Sequence, residues 1–195
     1  MTKQSDCSAL YSPVKTLPTL FNRESSSDLT LLVNDTKFHC HGVVLAPLCE
    51  YVNRFLDSPL VKSDSDDLAL KPADSVINVD LPDLEIPKNF KKDENDGSNV
   101  VWFEKFLKLL YGLHDISSDN PAEVFIMAQI ADFIVCESML KLCDDILTKI
   151  RYNKTNVLNV ALFCQSYPLS NTFQAVKKFI ADNIIDPLYL THFKL

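Results

Sequence analysis

The chain has 195 residues, 47% of them apolar, and carries a formal net charge of −7 from 19 basic and 26 acidic side chains. This length suits one domain of ordinary size with a small extension, and the apolar share allows a sizeable core. Because an acidic chain repels phosphate backbones, we expect no direct nucleic-acid partner.

Membrane insertion and secretion are not expected either. No stretch reaches about 18 uninterrupted apolar residues, the length that a membrane-spanning helix needs. The N-terminus, MTKQSDCSALYSP, lacks the apolar core of a signal peptide. We therefore expect an intracellular protein, cytoplasmic and/or nuclear. Its six cysteines are scattered without a Cys-x-x-Cys pair, and since intracellular thiols stay reduced they are predicted to be small core residues.

The N-terminal segment predicts a flexible start followed by one short helix. Residues 1–12 are expected to be flexible. The helix is predicted from Val14 to Asn22, with apolar side chains at Leu17, Leu20 and Phe21.

A β-hairpin is predicted next. Leu29, Leu31 and Val33 occupy alternate positions, which places them on one face of a strand. Asn34-Asp35 is a favourable two-residue turn, and a second short strand is predicted from Thr36 to Phe38.

The middle of the chain predicts a helix and a third strand between polar loops. An apolar helical run extends from Val43 to Phe55, and Pro47 is expected to fall in its first turns or to split it. Residues 63–75 are polar and acidic and predict a loop. Alternation from Val76 to Leu81 predicts a strand with its odd-numbered residues on one face. Pro82 to Asn99 predicts a second, mobile loop.

The remainder of the chain predicts five amphipathic helices. Apolar side chains recur at helical spacing in residues 102–111, 121–134, 139–147, 156–166 and 170–185. The second of these has a clear start, since Asn120 can cap it, Pro121 suits its first turn and Glu123 can reach back to the cap. Strands that cluster early and helices that cluster late predict the α+β class, a small sheet capped by helices.

The sequence gives little indication of catalysis. Its three glycines, Gly42, Gly97 and Gly112, cannot form a Gly-rich phosphate loop, and there is no Gly-x-Ser-x-Gly elbow. A Cys/His dyad stays open, because such partners meet only in the fold. We predict a protein that is not an enzyme and that holds no cofactor.

His39-Cys40-His41 is the one motif with metal-ligand character. Two histidines two apart on an extended strand point the same way and could share an ion, but zinc needs four ligands. Cys49 is the only thiol near them in sequence, and no other cluster has partner spacing. We therefore predict no metal site, with His41 partly buried and hydrogen-bonded and His39 exposed.

Two further features have alternative interpretations. Trp102 is the single tryptophan and is either a binding hot spot or a packed residue beneath its helix; we predict packing. The acidic patches at Asp64, Asp66-Asp67 and Asp93-Glu94 either recruit a basic partner or are solvated loops, and we predict loops.

The stretch from Asp28 to Phe55 resembles the opening of the BTB (POZ) domain family. That family has an Asp before the first strand, a Phe-x-x-His after the turn, and a Leu-rich helix that ends in a Tyr-containing turn. The matching residues here are Asp28, Phe38, His41, Leu45, Tyr51 and Phe55. The resemblance implies the BTB fold and a protein that binds other proteins.

Two later segments extend the resemblance. WFEKFLKLLYGLHDIS is similar to the family's Tyr-Gly helix and the strand that follows it. NPAEVFIMAQIADFIVCESMLKLCDDIL is similar to its next helix pair. The positions that match the signature of that pair are Ala128, Ala131, Asp132, Leu140, Cys143 and Leu147.

Beyond Ile150, the segment TNVLNVALFCQSYPLSNTFQAVKKFIADNI resembles the first helix pair of a BACK domain, which usually follows the BTB domain in adaptors that carry Kelch repeats. The resemblance implies a BTB domain at 13–150 and a partial BACK-like extension at 151–195. Because the sequence stops at Leu195 without Kelch repeats, it predicts a truncated or naturally short member.

The resemblance also implies self-association with an identical or a related BTB chain. In the family, the N-terminal helix packs across the two-fold axis of a dimer, and here that helix has little local core to pack against. The implied interface residues are Leu17, Leu20, Phe21, Asp28 and His41. The charges of the last two would tune assembly.

Many BTB–BACK proteins are adaptors that recruit substrates to a cullin-3 RING ubiquitin ligase, and this is the first functional hypothesis. The family's cullin-binding motif is apolar-x-Glu. Leu60 or Val61 can supply the apolar anchor, whereas Lys62 or Ser63 stands where the Glu is expected. Further cullin contacts are implied for residues 113–123 and 156–185. The alternative is a dimerisation scaffold or regulator without ligase activity.

Overall fold

The chain divides into two compact units. The computed structural model describes residues 17–58, 75–90 and 98–184. Unit 1 comprises Met1–Asp83 and Gly97–Asp115, and unit 2 comprises Leu84–Asp96 and Ile116–Leu195. The boundaries drawn from the family resemblance, 13–150 and 151–195, stay predictions.

Unit 1 contains a three-stranded sheet with strand order β2-β1-β3. β1 (Leu29–Val33) pairs antiparallel with β2 (Thr36–Cys40) and parallel with β3 (Ser75–Asn78). In the turn between β1 and β2, Asn34 and Asp35 have φ values of 44° and 64°. Positive φ at both positions is what a two-residue type I′ turn requires, so the predicted hairpin is confirmed.

The two flanking strands differ in length from the prediction. β2 ends at Cys40 rather than Phe38, because its last residue still pairs with Leu29 in the antiparallel ladder. β3 ends at Asn78 rather than Leu81. Pro82, which has no N–H for further pairing, follows shortly after, and the predicted inward residue Leu81 is only half-buried.

The helices of unit 1 are α1 (Leu17–Leu20), α2 (Gly42–Leu45), α3 (Glu50–Asp57) and α4 (Asn99–Leu110), with a short 3₁₀ turn at Glu24–Ser26. Of the two alternatives predicted for Pro47 in the helical run 43–55, the split is confirmed, since the run forms the separate helices α2 and α3. Pro47 lies between them and cannot donate the hydrogen bond that would continue α2. The part of the predicted N-terminal helix before Leu17 lies outside the described residues.

α4 supplies much of the core of unit 1. The residues that it buries are Trp102, Phe103, Phe106, Leu107, Leu109 and Leu110. The Phe103 ring lies 5.8 Å from the ring of Phe38 on β2, which joins the helix to the sheet. The predicted packing of Trp102 beneath its helix is confirmed.

The strand expected after α4 is not formed. Residues 112–120, all of them described, contain turns and unpaired extended chain. α4 ends with Gly112 at φ 70°, where the Gly112 N–H donates to the carbonyl of Leu109 (3.0 Å) and the Leu113 N–H to that of Lys108 (2.8 Å). This is a Schellman cap. Between Gly112 and Asp119 only Ile116 is buried, so the segment has no apolar face to pair.

Unit 2 is helical in its described part. It contains α5 (Pro121–Phe133), α6 (Glu137–Leu147), α7 (Val157–Ser166) and α8 (Ser170–Asn183), within a few residues of the predicted bounds. α5 packs against α6, α6 against α8, and α7 against α8. Residues 122–131 of α5 are all buried, which marks it as the central helix.

The predicted start of α5 is confirmed. Asn120 Oδ1 accepts from the Glu123 N–H at 3.4 Å, and the Glu123 carboxylate accepts from Asn120 Nδ2 at 3.3 Å. With the sheet of unit 1 and the helices of both units, the α+β class is also confirmed. Across the described ranges, no helix is both long enough and apolar enough to cross a bilayer.

α8 is capped by a side chain from another helix. Its own N-cap residue, Leu169, provides no side-chain hydrogen bond. Asp144, buried on α6, accepts from the N–H groups of Asn171 (2.9 Å) and Thr172 (2.8 Å), and the Thr172 hydroxyl donates to the Asp144 carbonyl (3.1 Å). The carboxylate therefore satisfies N–H groups that a helix start would otherwise leave unpaired.

α5 ends in the same type of cap as α4, but with an unfavourable residue. The Val135 N–H donates to the Asp132 carbonyl (3.1 Å) and the Cys136 N–H to that of Ala131 (2.7 Å). Val135 sits at φ 54°, in the left-handed region that a β-branched residue strongly disfavours. The junction between α5 and α6 is therefore strained.

Exchanging the cap residues tests this strain. Val135→Gly should raise the free energy of unfolding by about 1 kcal/mol, because glycine adopts positive φ without a Cβ clash. Gly112→Val, the reciprocal change in the cap of α4, should lower it by about the same amount. Urea unfolding measures both values, and shifts of the same sign would contradict the assignment.

Removing the shared cap of α8 should be costly. Asp144→Ala leaves two helix N–H groups unpaired, and we expect it to lower the free energy of unfolding by about 2 kcal/mol. The matched control is Asp145→Ala, an exposed neighbour that should change stability by less than about 0.5 kcal/mol. Equal effects in thermal or urea unfolding would show that the cap is not important.

Candidate functional site

The predicted interface residues of unit 1 fall into two groups. Phe21 and His41 both contact Tyr111, with ring centroids 5.4 and 6.0 Å from that of the tyrosine. Leu17 and Leu20 belong to α1, which buries none of its residues. The structure thus places an apolar, half-exposed helix just before a buried aromatic and polar cluster.

The Tyr111 hydroxyl is the centre of that cluster. Tyr111 is the residue after α4 and is fully buried. Its hydroxyl accepts from the backbone N–H of His41 at 3.0 Å and lies 3.1 Å from His41 Nδ1. On the other side of the ring, His41 Nε2 lies 3.2 Å from Ser26 Oγ. The tautomer of His41 sets which of its two ring nitrogens donates in these contacts.

Asp28 closes the cluster on the side of the sheet. Its Oδ1 accepts from the N–H of Gly42 at 2.7 Å, and its own N–H donates to the carbonyl of Cys40 at 3.2 Å. Gly42 is the first residue of α2, so the carboxylate of Asp28, the residue before β1, caps the start of this helix. A Cβ at Gly42 would lie 3.2 Å from Leu56 Cδ1 and 3.5 Å from Asp28 Oδ2. The contact with Leu56 would be tight, whereas the distance to the carboxylate is an ordinary van der Waals distance, so the missing side chain leaves room for Leu56.

The Cys40 thiol is unsuited to act as a nucleophile. Burial, with a smaller contribution from the nearby Asp28 carboxylate, raises its pKa to about 12, while the hydrogen bond from Tyr111 acts in the opposite direction. The thiolate is therefore scarcely populated near neutral pH, and it is the thiolate that reacts. Burial also raises the pKa of Tyr111 well above its usual range, so its hydroxyl keeps its proton. Cys40 and His41 together form a structural pair rather than an activated dyad.

The His39-Cys40-His41 motif is divided among different partners. His41 is buried and hydrogen-bonded, as predicted. His39 is half-buried rather than exposed, because it lies in β2 and its N–H donates to Asn22 Oδ1 at 2.9 Å. No three His, Cys, Asp or Glu side chains in the described part of the chain are grouped to hold a metal ion.

The predicted cullin-binding residues Leu60, Val61 and Ser63 lie outside the described residues. Two other regions that the resemblance implicates can be located. Leu113 is part of the exposed segment after α4. On α7, Leu158 and Leu162 are one turn apart and expose 57% and 61% of their surface.

Sequence reasoning missed Tyr111 and Ser26. Tyr111 is 70 residues from His41 and Ser26 is 15, and no local pattern links them. The one available signal was the apolar helix before Tyr111. It predicts that the tyrosine ring is buried, and a buried tyrosine hydroxyl needs a hydrogen-bond partner.

Comparison with known proteins adds no relative. No family model matches the sequence, and no curated protein matches it either.

The raised pKa of Cys40 predicts a loss of stability in alkali. The unfolded thiol ionises near its ordinary value of 9.0, whereas the folded thiol holds its proton up to about 12. Between pH 9.0 and about 12 the folded thiol keeps its proton while the unfolded thiol loses it. The contribution of the thiol to the free energy of unfolding is therefore complete below pH 9.0 and is lost as pH rises toward 12. Cys40→Ala should reduce that slope by up to about 1.4 kcal/mol per pH unit.

Urea unfolding across this pH range measures the slope. Cys164→Ala is a second test: burial, with a contribution from Asp144, raises the pKa of this thiol from 9.0 to about 12 as well, so its removal should reduce the slope by a similar amount. An unchanged slope in Cys40→Ala would refute the assignment.

Proposed function

We propose that this chain is a self-associating protein–protein interaction module, and that α1 of unit 1 lies at the contact between copies. The observation that carries the proposal is that α1 is four residues long, has the sequence LPTL and fully buries none of its side chains, with Leu17 and Leu20 both partly exposed. A single helical turn is not stable by itself in water. Burial of Leu17 and Leu20 against a partner would supply the missing packing.

The surroundings of α1 support this proposal. Phe21 follows the helix and is anchored on Tyr111 while remaining half-exposed. Val43, two residues after the buried His41, exposes 80% of its surface. Apolar side chains held on a rigid base, with polar groups beside them, are typical of association surfaces.

The finer proposal is an adaptor of the BTB type that recruits substrates to a cullin-3 ubiquitin ligase. It is supported by the resemblance described above and by the exposed pair Leu158 and Leu162, which suits helix-in-groove binding. A second candidate is a dimerisation scaffold or regulator without ligase activity. One feature of the sequence favours this second candidate: Lys62 or Ser63 stands where the cullin-binding motif has a Glu.

A charge placed on α1 tests self-association. Leu20→Asp would bury an unpaired carboxylate at the proposed contact, and we expect the dimer dissociation constant to rise by at least about 10-fold. Sedimentation velocity over a range of concentrations measures it. Leu158→Asp introduces the same charge on α7 and should leave self-association unchanged. A monomeric wild type, or a Leu20→Asp variant that associates as tightly, would refute the proposal.

The same two variants separate the candidate functions. Titration of the cullin-3 N-terminal domain into the wild-type chain should give a complex if the chain is an adaptor. Leu158→Asp should then weaken that complex while leaving the dimer intact. A wild-type dimer that binds no cullin-3 at micromolar concentration would support the scaffold.

A further inference from the structure

Residues Leu84–Phe90, with the sequence LEIPKNF, form a segment that is held against unit 2 and is here named the docked segment. The sequence predicted a mobile loop, and for these residues that prediction is wrong. The segment forms neither helix nor strand, but contacts from α5, from α7 and from the loop before α7 hold it in place. It is bound in the way that a protein binds a peptide.

Gln129 of α5 holds the first part of the docked segment. The side chain is 2% exposed, and its Oε1 accepts from the Glu85 N–H at 2.9 Å while its Nε2 donates to the Glu85 carbonyl at 2.6 Å. The amide thus pairs with both backbone groups of one residue, as a neighbouring strand would. This mode is shared with domains that recognise extended peptides.

The remaining hydrogen-bonding positions of the Gln129 side-chain amide also have partners. Nε2 donates to the carbonyl of Phe125 at 3.0 Å, and Oε1 accepts from the Tyr167 hydroxyl at 3.3 Å. Burial raises the pKa of Tyr167, and Asp132 and Glu85 add to the shift, so the hydroxyl stays a donor. With four partners the amide has one fixed orientation, which prepares it to bind backbone.

The second part of the docked segment is held by α7 and the loop before it. Asn159 Nδ2 donates to the carbonyl of Lys88 at 3.0 Å, and Asn89 Nδ2 donates to the carbonyl of Thr155 at 2.6 Å. The ring of Phe90 meets that of Phe125 edge-to-face at 5.0 Å. Pro87 is buried between these contacts.

These contacts divide into two kinds. Those to Glu85 and the Lys88 carbonyl use only backbone atoms, so many sequences could make them. Those of Pro87, Asn89 and Phe90 use side chains and set a preference for Pro-x-Asn-aromatic. The side chains of Glu85 and Lys88 are exposed and contribute little to the choice.

We propose that α5 and α7 form a peptide-recognition groove whose ligand is an extended Pro-x-Asn-aromatic segment of a partner protein, and that the docked segment occupies this groove in the free chain. The groove lies entirely in unit 2 and is independent of the contact proposed for α1. Since a tethered segment acts at an effective concentration in about the millimolar range, it masks the groove against weak ligands. A partner binds by displacing it, so the contact is autoinhibitory.

The test uses a fluorescein-labelled peptide of residues 82–90, PDLEIPKNF, and the full chain. Asn89→Ala/Phe90→Ala in the chain should release the docked segment, and the peptide should bind this variant at least about 10-fold more tightly than it binds the intact chain. Lys88→Ala is the matched control in the segment and should behave as the intact chain does. A peptide with Ala at its own Asn and Phe positions should not bind.

Adding a groove substitution locates the site. Asn159→Ala in the released variant should weaken peptide binding, whereas Asn183→Ala, at an exposed asparagine whose Nδ2 donates to the Phe179 carbonyl of its own helix α8, should not. Leu20→Asp should also leave peptide binding unchanged, so that failure of self-association and failure of this proposal are distinguishable. Fluorescence anisotropy measures all of these affinities.

Two outcomes would overturn the proposal. One is a released variant with a native circular dichroism spectrum that shows no saturable peptide binding. The other is a released variant that becomes a monomer where the intact chain is a dimer, since the groove would then hold a second copy's segment.

If the released variant does not fold, cross-linking to the intact chain decides, with the peptide in excess of the roughly millimolar effective concentration of the tethered segment. A peptide with benzoylphenylalanine in place of its Phe should label residues 121–133 or 157–166, and unlabelled peptide should prevent this. Labelling elsewhere, or none, would refute the groove.

Discussion

The structure depends on one constraint: backbone N–H and C=O groups that leave water must find partners, and this chain of short elements has many helix and strand ends to satisfy. It meets the requirement with side chains from elsewhere in the sequence. Asp28 caps the start of α2 and Asp144 caps the start of α8. Gln129 hydrogen-bonds to the backbone of Glu85, which lies in the docked segment and in no strand. Each such bond fixes one element against another, so packing and polar pairing are solved together.

The same constraint explains why the most chemistry-rich residues are structural. Cys40, His41 and Tyr111 are a thiol, an imidazole and a phenol within contact, yet they are buried, and burial keeps the thiol and the phenol protonated. Their effect is to hold the hairpin, the start of α2 and the end of α4 together. They support a surface on which α1 is partly exposed and Val43 of α2 is exposed.

The predictions succeeded where the signal was short-range. The hairpin turn, the start of α5 and the alternating burial of β1 all depend on residues within about four positions of each other. Predictions stayed open or failed where a local pattern was ambiguous. The apolar run at 43–55 could not show whether Pro47 would split it, and the segment after α4 lacked the apolar face of the strand that the resemblance implied. At the candidate site, the sequence identified Phe21, Asp28 and His41 but gave no reason to join them to Tyr111.

The sequence by itself determined the α+β class, the succession of an early hairpin and late helices, and the packing of Trp102 beneath its helix, because periodicity and capping act along the chain. Only the tertiary structure decided the parallel pairing of β3 with β1, the capping of α2 by Asp28 and of α8 by Asp144, and the docking of residues 84–90. The two caps and the docking join residues 14, 28 and 44 positions apart. A side chain that serves a distant backbone group leaves no periodic trace, since its partner is chosen by the fold and not by its neighbours.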